Sequence, residues 1–546
     1  MLYIFEWFNR GGIGIMDIRE IEKVVDSYHI NHPVFSGTKE QVMFELLSSF
    51  EDICSLSALD APFNLSSLRN ITTYMDALNQ ALHWVENSDL PSSCEHINTD
   101  ILEERYEHCV SFLLDYALPY SVICSGYISF SRGRLEVDIN GNTVTFNYPI
   151  NNNKSEWADI LREVSQNTFS GFIDSIEPLK LKEAISKLNS AIFLEDDHLC
   201  YTLSNDILEP FIEIANTQWS ATKTLPDVWT FDLFSFDDYR KVWVNITALC
   251  YIHFFSTSFI ADPRIRIKNN SILLPFNKLI DSIASLSCLN SEAVEKILRY
   301  ITFEPSKPNV DIMYQPIVVL GSNNVIITPM LFLGSSPERN LLAVVSSRHD
   351  KEHSKEVNDL EELMVSELEA EIPQALSLKT VKHKKLSKML PDLDFGLVDT
   401  VSNIAILCEL KWFSAADSTK EVYAREDEIT HGCDQAEAVL VYAMSDRKHF
   451  FKQVFNIDDG ENIDVICCVI AKHNIRTQHK YVPVIDLNKF KKLISSKSFD
   501  VTFNTIRYHE FEDALPKGAY ITHQPINYAG FNFKIPAICF ESIDTL

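Results

Sequence analysis

The spacing of apolar side chains alternates along the chain between a helical and a strand period. Between about residues 17 and 120, segments such as IREIEKVVDSY and EQVMFELLSSF place apolar residues three and four positions apart, which predicts helices. GRLEVDINGNTVTFNYP alternates around Asn140-Gly141 and predicts a hairpin. Helical spacing returns between about 155 and 300, and PIVVL and VIITP predict another hairpin around residues 321–324. We therefore expect a mainly helical region over 1–120 and an α+β region over 121–345, with hairpins near 133–149 and 316–330.

A charged segment that begins at Ser346 separates this part from a unit with a different pattern. A helix is predicted from Lys355 to Ile372, and its apolar stripe consists of Val357, Leu360, Met364, Leu368 and Ile372. Glu361 falls within that stripe, whereas Glu362 and Glu369 fall outside it. A strand from Ile404 to Phe413, a helix in HGCDQAEAVLVYA and a strand in DVICCVIAK follow. Residues 346–500 are predicted to form a separate α/β domain, and 501–546 an irregular C-terminal extension with strand-like pieces such as FNFKIPAICF.

Composition is that of a globular protein whose acidity lies mainly outside the predicted C-terminal domain. The 546 residues are 46% hydrophobic and 23% charged, with a net charge of -28. Residues 345–500 carry 21 basic and 27 acidic side chains, a net of -6, which leaves -22 for the rest. This balance argues against non-specific coating of nucleic acid, but it allows a local basic groove in the later region. The acidic N-terminal part suits a protein partner.

The cysteines and the long apolar segments point to a cytoplasmic protein. Twelve scattered cysteines include no CxxC pair, and the adjacent Cys467 and Cys468 point to opposite faces of a predicted strand, so no zinc site is indicated. The apolar N-terminus has no basic leader or cleavage site of a secretory signal, and Met16 is an alternative start. Val242–Ala261 is long enough to cross a bilayer, but its polar residues favour a buried helix and no membrane contact.

The candidate chemistry lies in PDLDFGLVDTVSNIAILCELKWF, from Pro391 to Phe413. Alternation along the predicted strand from Ile404 to Phe413 puts Glu409 and Lys411 on one face. A strand–turn–strand arrangement of the whole segment would bring Asp394 back beside Glu409. Two buried carboxylates would repel each other, and a Mg²⁺ ion between them removes that difficulty because hard cations prefer oxygen ligands. Such an ion can activate water at a phosphodiester, and Lys411 would orient the water and stabilise the developing charge.

The pattern Asp394 … Glu409-Leu410-Lys411 resembles the core of the PD-(D/E)xK, or restriction endonuclease-like, nuclease superfamily. The interval between Asp394 and Glu409 is somewhat longer than in compact members. The resemblance covers about 150 residues and implies an αβββαβ core, completed by YVPVIDLNKFKKLI. It also implies that Glu361 completes the metal shell, that the Leu410 carbonyl helps to bind the metal, and that Gln435 supports the site. Some members carry a glutamine closely followed by a tyrosine on this helix, and Tyr442 lies farther from Gln435 than in that motif. Mg²⁺ or Mn²⁺ is the implied cofactor.

The resemblance implies a metal-dependent nuclease, with DNA as the expected substrate. By analogy with similar architectures, a large N-terminal region joined to such a domain suggests a bacterial restriction or antiviral defence role. Two alternatives stay open: a non-catalytic binding or scaffold protein with a degenerate nuclease fold, and an RNA-cleaving enzyme of the same fold. The lysine-rich run from Lys379 to Lys388 can be either a solvated face or an edge that contacts phosphates. A simple salt bridge between Glu409 and Lys411 is the plainest alternative for those two residues.

Overall fold

The computed structural model describes residues 17–540 with internal gaps, and the protein is mixed α/β. The gaps are residues 61–64, 93–96, 150–177, 223–224, 226–228, 232–233, 307–309, 322, 349, 373–377, 414–415, 417, 474–480, 497 and 509–518. The helical spacing predicted from about 155 to 177, Ser322 of the second predicted turn and the side chain of Val357 lie outside the described residues.

The N-terminal region is built mainly from helices that pack around one large apolar core. Its described helices are α1 (Ile18–Ser27), α2 (Lys39–Asp60), α3 (Leu65–Glu86), α4 (Glu103–Ser111), α5 (Leu118–Ser131), α6 (Pro178–Asn189), α7 (Asn205–Thr222), α8 (Phe236–Ser258), α9 (Pro263–Asn269), α10 (Phe276–Ser287), α11 (Ser291–Tyr300), α12 (Pro329–Leu333) and α13 (Pro337–Arg348). A π-helical turn, Phe112–Ala117, joins α4 to α5. The predicted helical character of the described residues from 17 to 120 is confirmed.

Short strands interrupt these helices. They are β1 (Glu136–Asn140), β2 (Thr143–Asn147), β3 (Ile192–Glu195), β4 (His198–Tyr201), β5 (Thr230–Phe231), β6 (Phe234–Ser235), β7 (Ile272–Pro275), β8 (Thr302–Phe303), β9 (Ile317–Leu320) and β10 (Asn324–Ile327). Both predicted hairpins are confirmed as β1–β2 and β9–β10, and Gly141 has the positive φ (+60°) that a tight turn requires. The hairpin β3–β4 was not predicted, because the strands are short and carry little alternation.

The segment Val242–Ala261, which was predicted to be a buried helix, falls largely within α8, and most of the side chains of α8 are buried. A different segment, Glu103–Ser131, is long and apolar enough to cross a bilayer by length and composition, with mean hydropathy 1.3 in its most apolar window. One third of that window is buried. Ile123 in this segment belongs to the same buried apolar cluster as Val144 and Phe533.

The C-terminal part contains a five-stranded sheet covered by helices on both faces. Its elements are α14 (Asp350–Glu371), β11 (Leu378–Lys384), β12 (Leu393–Asp399), β13 (Ile404–Lys411), α15 (Thr419–Ser445), α16 (Arg447–Phe455), β14 (Asp464–Ala471), β15 (Val484–Asp486), α17 (Leu487–Ser496) and α18 (Phe499–Arg507). The strand order is β11-β12-β13-β14-β15, antiparallel from β11 to β13 and parallel from β13 to β15.

The central strand β13 is apolar on both faces because helices cover both. Ala405 and Leu407 pack towards α15 and α16, whereas Ile406, Cys408 and Leu410 pack towards α14, α17 and α18. Cys467 and Cys468 on β14 divide between the same two faces. This two-sided burial leaves little room for charge on the sheet, so Glu409 and Lys411 on the α15 face are exceptions that need an explanation.

The expectation of an irregular extension after residue 500 is wrong for the described residues, whereas its strand-like piece FNFKIPAICF is confirmed as the strand Phe531–Phe540. Residue Phe503 of α18 packs beneath the five-stranded sheet. The strands β16 (Ala519–Tyr528) and β17 (Phe531–Phe540) then form a long hairpin, and β17 pairs in parallel with β2. The resulting four-stranded sheet, β1-β2-β17-β16, joins the C-terminal end to the N-terminal region. Pairing between strands so distant in sequence leaves no local signal.

Candidate metal-binding and catalytic site

The pairing of β12 with β13 places Asp394 beside Glu409. Phe395 and Cys408, the residues next to them, are the last pair in the register of the two strands, and the carboxyl groups of Asp394 and Glu409 share a hydrogen bond. The backbone N–H of Leu410 donates a hydrogen bond of 2.9 Å to Oδ2 of Asp394. Because the N–H and C=O of one strand residue point to the same side, the Leu410 carbonyl also faces Asp394. The structure thus brings together two carboxylates and one backbone carbonyl at one end of the sheet.

Lys411 lies on the same face of β13 as Glu409. Its Nζ atom is 2.7 Å from Oε1 of Glu409 and donates a 3.1 Å hydrogen bond to Oε1 of Gln435 on α15. The Glu409 side chain is only 5% exposed and that of Lys411 20%. The ammonium group is therefore held by two partners from two different elements.

Burial sets the protonation behaviour of the two carboxyl groups. Burial, followed by the charge of Asp394, raises the pKa of Glu409 to about 7, although Lys411 opposes the shift. Burial also raises the pKa of Asp394, against the effects of the Leu410 N–H, Lys411, His383 and a hydrogen bond with Glu409. Burial thus disfavours the charged form of both carboxyl groups while no cation lies between them. A divalent cation between the two groups would offset that cost, so the donor set fits such an ion.

Glu361 on α14 lies within electrostatic reach of this pair. Burial and the charge of Asp394 raise the pKa of Glu361, while Lys411 and His383 lower it. Glu361 does not, however, complete a tight cluster, because within the described part of the chain no three His, Cys, Asp or Glu side chains lie close enough together to hold a metal ion. The structure therefore brings Asp394, Glu409, Leu410, Lys411 and Gln435 together and leaves Glu361 beside them.

His383 and Gly432 are neighbours of the site that the sequence did not single out. On β11, Lys382 pairs with Phe395 and Lys384 pairs with Leu393, so His383 lies across from Asp394. The backbone of His383 has a positive φ of +44°. Its Nε2 atom is 2.6 Å from Glu362. A Cβ atom added to Gly432 would lie 2.8 Å from Cε of Lys411. Neither residue gives a signal in sequence, since one lies in a lysine run and the other inside a helix.

The lysine-rich run flanks the site along the edge strand β11 and the connection to β12. Lys382 lies 3.5 Å from both Glu362 and Glu369. No acidic side chain in the described residues pairs with Lys384, Lys385 or Lys388. These three lysines therefore form an uncompensated positive segment, residues 384–388, in a protein of net charge -28.

Two clefts lie away from this site, in the N-terminal region. The larger, of about 600 Å³, is lined by parts of residues 30–36 and 102–108. Arg105 in that cleft already pairs with Glu45 and hydrogen bonds to Ser36. The open end of the five-stranded sheet, in contrast, combines buried charged groups with short distances between them, which is typical of a functional site.

No protein-family model, no curated protein and no solved structure matches this chain.

Proposed function

We propose that the protein is a metal-dependent nuclease that hydrolyses phosphodiester bonds, most simply in DNA. The observation that carries this proposal is the meeting of Asp394 and Glu409 on adjacent strands, with the Lys411 ammonium 2.7 Å from Glu409. A carboxylate pair with a neighbouring lysine at a sheet end has the composition expected of a site that binds a divalent cation and activates water. The element order from α14 through β14 supports a restriction endonuclease-like core.

Asp394, Glu409 and the Leu410 carbonyl would hold Mg²⁺ or Mn²⁺, with Glu361 close enough to add negative charge or hold a water. When bound, the cation would supply Lewis-acid activation of water and offset charge on the phosphate. Lys411 would hold the attacking water and stabilise negative charge as it develops on the phosphate oxygens. Gln435 would fix the Lys411 ammonium, whose rotation about its long side chain would otherwise weaken that contact.

The unpaired lysines at 384, 385 and 388 support a polyanionic substrate. They precede Asp394 directly in sequence, and the β11–β12 pairing keeps the start of this segment beside the site. A solvated face is the alternative for such a run, but none of these lysines forms an ion pair within the described structure. Contacts from lysines to phosphates would position a nucleic acid strand without reading its sequence.

The direct test is cleavage of supercoiled plasmid and single-stranded DNA with Mg²⁺ or Mn²⁺. We expect metal-dependent cutting by the wild type, loss of cutting in Asp394→Ala and Lys411→Ala, and loss on addition of EDTA. The absence of cutting under every metal and substrate would favour a non-catalytic protein with a degenerate nuclease fold. The same assay with RNA distinguishes an RNA-cleaving enzyme.

A cytoplasmic role in restriction or antiviral defence is part of the same proposal. The N-terminal region would select the substrate or bind a protein partner, which its negative charge suits better than nucleic acid. Cysteines that are unpaired throughout the described residues support a reducing compartment. Infection or transformation assays with the wild type and the Asp394→Ala variant would test this role.

A further inference from the structure

The two halves of helix α15 contact different parts of the molecule. The helix runs for 27 residues from Thr419 to Ser445. Its first half bears charged side chains that meet the N-terminal region. Its second half carries Gly432 and Gln435, which contact Lys411. One continuous helix therefore links the N-terminal region to the proposed catalytic lysine.

Ion pairs attach the first half of α15 to the N-terminal region. Arg339 of α13 lies 2.7 Å from Glu421, which also accepts a hydrogen bond from the Tyr314 hydroxyl. Arg134, just after α5, pairs with Glu426, and both side chains are largely buried. Buried pairs of this kind are intolerant to loss of one partner, because the other charge is left without compensation.

A second set of contacts surrounds this buried pair. Arg132 lies 3.1 Å from Asp427 in an exposed pair. The guanidinium groups of Arg132 and Arg134 also lie 5.8 and 6.0 Å from the centre of the Tyr423 ring, within the range of cation–π attraction. The first half of the helix is thus fixed by several charged contacts rather than by apolar packing alone.

The second half of α15 lies directly on the Lys411 side chain. At Gly432, an added Cβ atom would be 2.8 Å from Cε and 3.3 Å from Cγ of Lys411, and 3.5 Å from Cγ of Glu409. An alanine at this position would force the Lys411 side chain to shift, because its Cβ atom would come too close to the lysine. A small shift of the helix would therefore move both the surface on which Lys411 rests and the Gln435 oxygen that accepts its hydrogen bond.

We propose that Gly432, Arg134 and Arg339 are positioning residues for Lys411. The N-terminal region fixes helix α15, and α15 holds the Lys411 ammonium against Glu409. The N-terminal region thus completes the proposed catalytic site in addition to any part it plays in choosing a substrate. The consequence for catalysis rests on the proposed function, whereas the placement of Lys411 can be measured without it.

The first experiment substitutes Gly432 by alanine. We expect kcat for DNA cleavage to fall roughly 10- to 100-fold with a change in KM below about threefold, because binding is retained while the lysine is displaced. The matched control is Gly126→Ala, also inside a helix, where an added Cβ would meet its nearest neighbour at an ordinary 3.7 Å. A Gly432→Ala enzyme with wild-type kcat and wild-type Lys411 reactivity would overturn the proposal.

The second experiment reverses the buried ion pair and keeps the proposal testable if Gly432→Ala fails to fold. Trace acetylation of the full-length protein with acetic anhydride, read by mass spectrometry, measures the reactivity of Lys411 relative to the exposed Lys278. We expect Arg134→Glu and Glu426→Arg each to raise the Lys411 reactivity at least about threefold, and the double variant to return towards the wild-type value.

The outcomes separate this inference from the proposed function. Single variants that lower the melting temperature but leave Lys411 reactivity unchanged would show a merely structural ion pair and would overturn the inference. Failure of the double variant to recover would do the same. A wild-type protein that cuts no nucleic acid would contradict the nuclease proposal, yet the acetylation pattern would still decide whether α15 positions Lys411.

Discussion

Oδ2 of Asp394 accepts a 2.9 Å hydrogen bond from the backbone N–H of Leu410, the residue between Glu409 and Lys411. This contact ties the carboxylate of one strand to the backbone of the next. Asp394 therefore has a structural role, as an acceptor, and a proposed chemical role, as a charged ligand. Substitutions that remove one role and keep the other can separate them.

The substitution Asp394→Asn keeps an acceptor for the Leu410 N–H but removes the negative charge. We expect it to fold with a melting temperature close to that of the wild type and to lose roughly 100-fold or more of its cleavage rate. Asp394→Ala should lose activity and also about 1–3 kcal/mol of stability, because the Leu410 N–H is left without its partner. Asp392→Asn, an exposed aspartate two residues earlier, is the control and should retain activity. Full activity in Asp394→Asn would contradict the proposed role in metal binding.

Removal of the Gln435 oxygen should affect turnover more than substrate affinity. Gln435→Ala frees the Lys411 ammonium from one of its two partners. We expect kcat to fall about 10-fold with little change in KM, measured under steady-state conditions on a short duplex. Gln453→Ala, which loses a hydrogen bond to the Leu386 carbonyl and one from the Tyr442 hydroxyl but none to Lys411, should leave kcat unchanged. A larger effect at Gln453 than at Gln435 would contradict this assignment.

Charge reversal at Lys385 and Lys388 should weaken DNA binding. The double variant Lys385→Glu/Lys388→Glu removes two candidate phosphate contacts. The slope of log K against log salt should therefore become shallower by about 1.4 to 1.8, depending on whether the bound DNA is single- or double-stranded. The control Lys182→Glu/Lys278→Glu makes the same charge change at exposed lysines of the N-terminal region. Equal salt slopes in the two double variants, measured by fluorescence anisotropy, would show that residues 384–388 are an ordinary solvated face.

The buried carboxyl of Glu51 should make the stability of the N-terminal region depend on pH. Its oxygens accept hydrogen bonds from Met330 N and Ser55 Oγ, and burial raises its pKa to about 8. The folded protein therefore keeps a proton that the unfolded chain releases above about pH 4.5, so stability falls as the pH rises from about 4.5 to 8.

The substitution Glu51→Gln removes this titration. Its melting temperature should exceed that of the wild type by roughly 2–5 °C at pH 8, and the difference should shrink towards pH 5. Scanning calorimetry at both values provides the measurement. Glu183→Gln, at an exposed position, should show no such trend. A difference that grows towards acid pH would contradict a neutral Glu51.

The sequence was sufficient to predict that Asp394 and Glu409 lie side by side, because their adjacency depends on local rules. Strand alternation fixes which residues share a face, and a short turn fixes which residues of two consecutive strands meet. Gln435 was predicted only through the resemblance of the following helix to that of the nuclease superfamily. Leu410 was predicted to contribute its backbone carbonyl because it lies between Glu409 and Lys411 on the same strand.

Other features depend on contacts that leave no local pattern. β11 is an edge strand, so its lysines replace the apolar alternation by which a strand is recognised, and His383 could not be placed opposite Asp394. Gly432 allows the Lys411 side chain to lie close to the helix backbone, but a glycine in a helical sequence does not indicate which residue contacts it. Glu361 was placed on the correct helix, yet its distance from the carboxylate pair depends on how α14 packs, which its apolar stripe does not determine.

The pairing of β17 with β2 has a consequence for synthesis of the chain. Val144 and Phe533 are neighbours in one sheet although 389 positions separate them. The β1–β2 hairpin leaves the ribosome long before β17 and cannot complete its sheet until residues 531–540 have been made. During that interval the exposed edge of β2 is open to wrong partners, so folding of this protein should be more sensitive to chaperones than its helical N-terminal region alone would suggest.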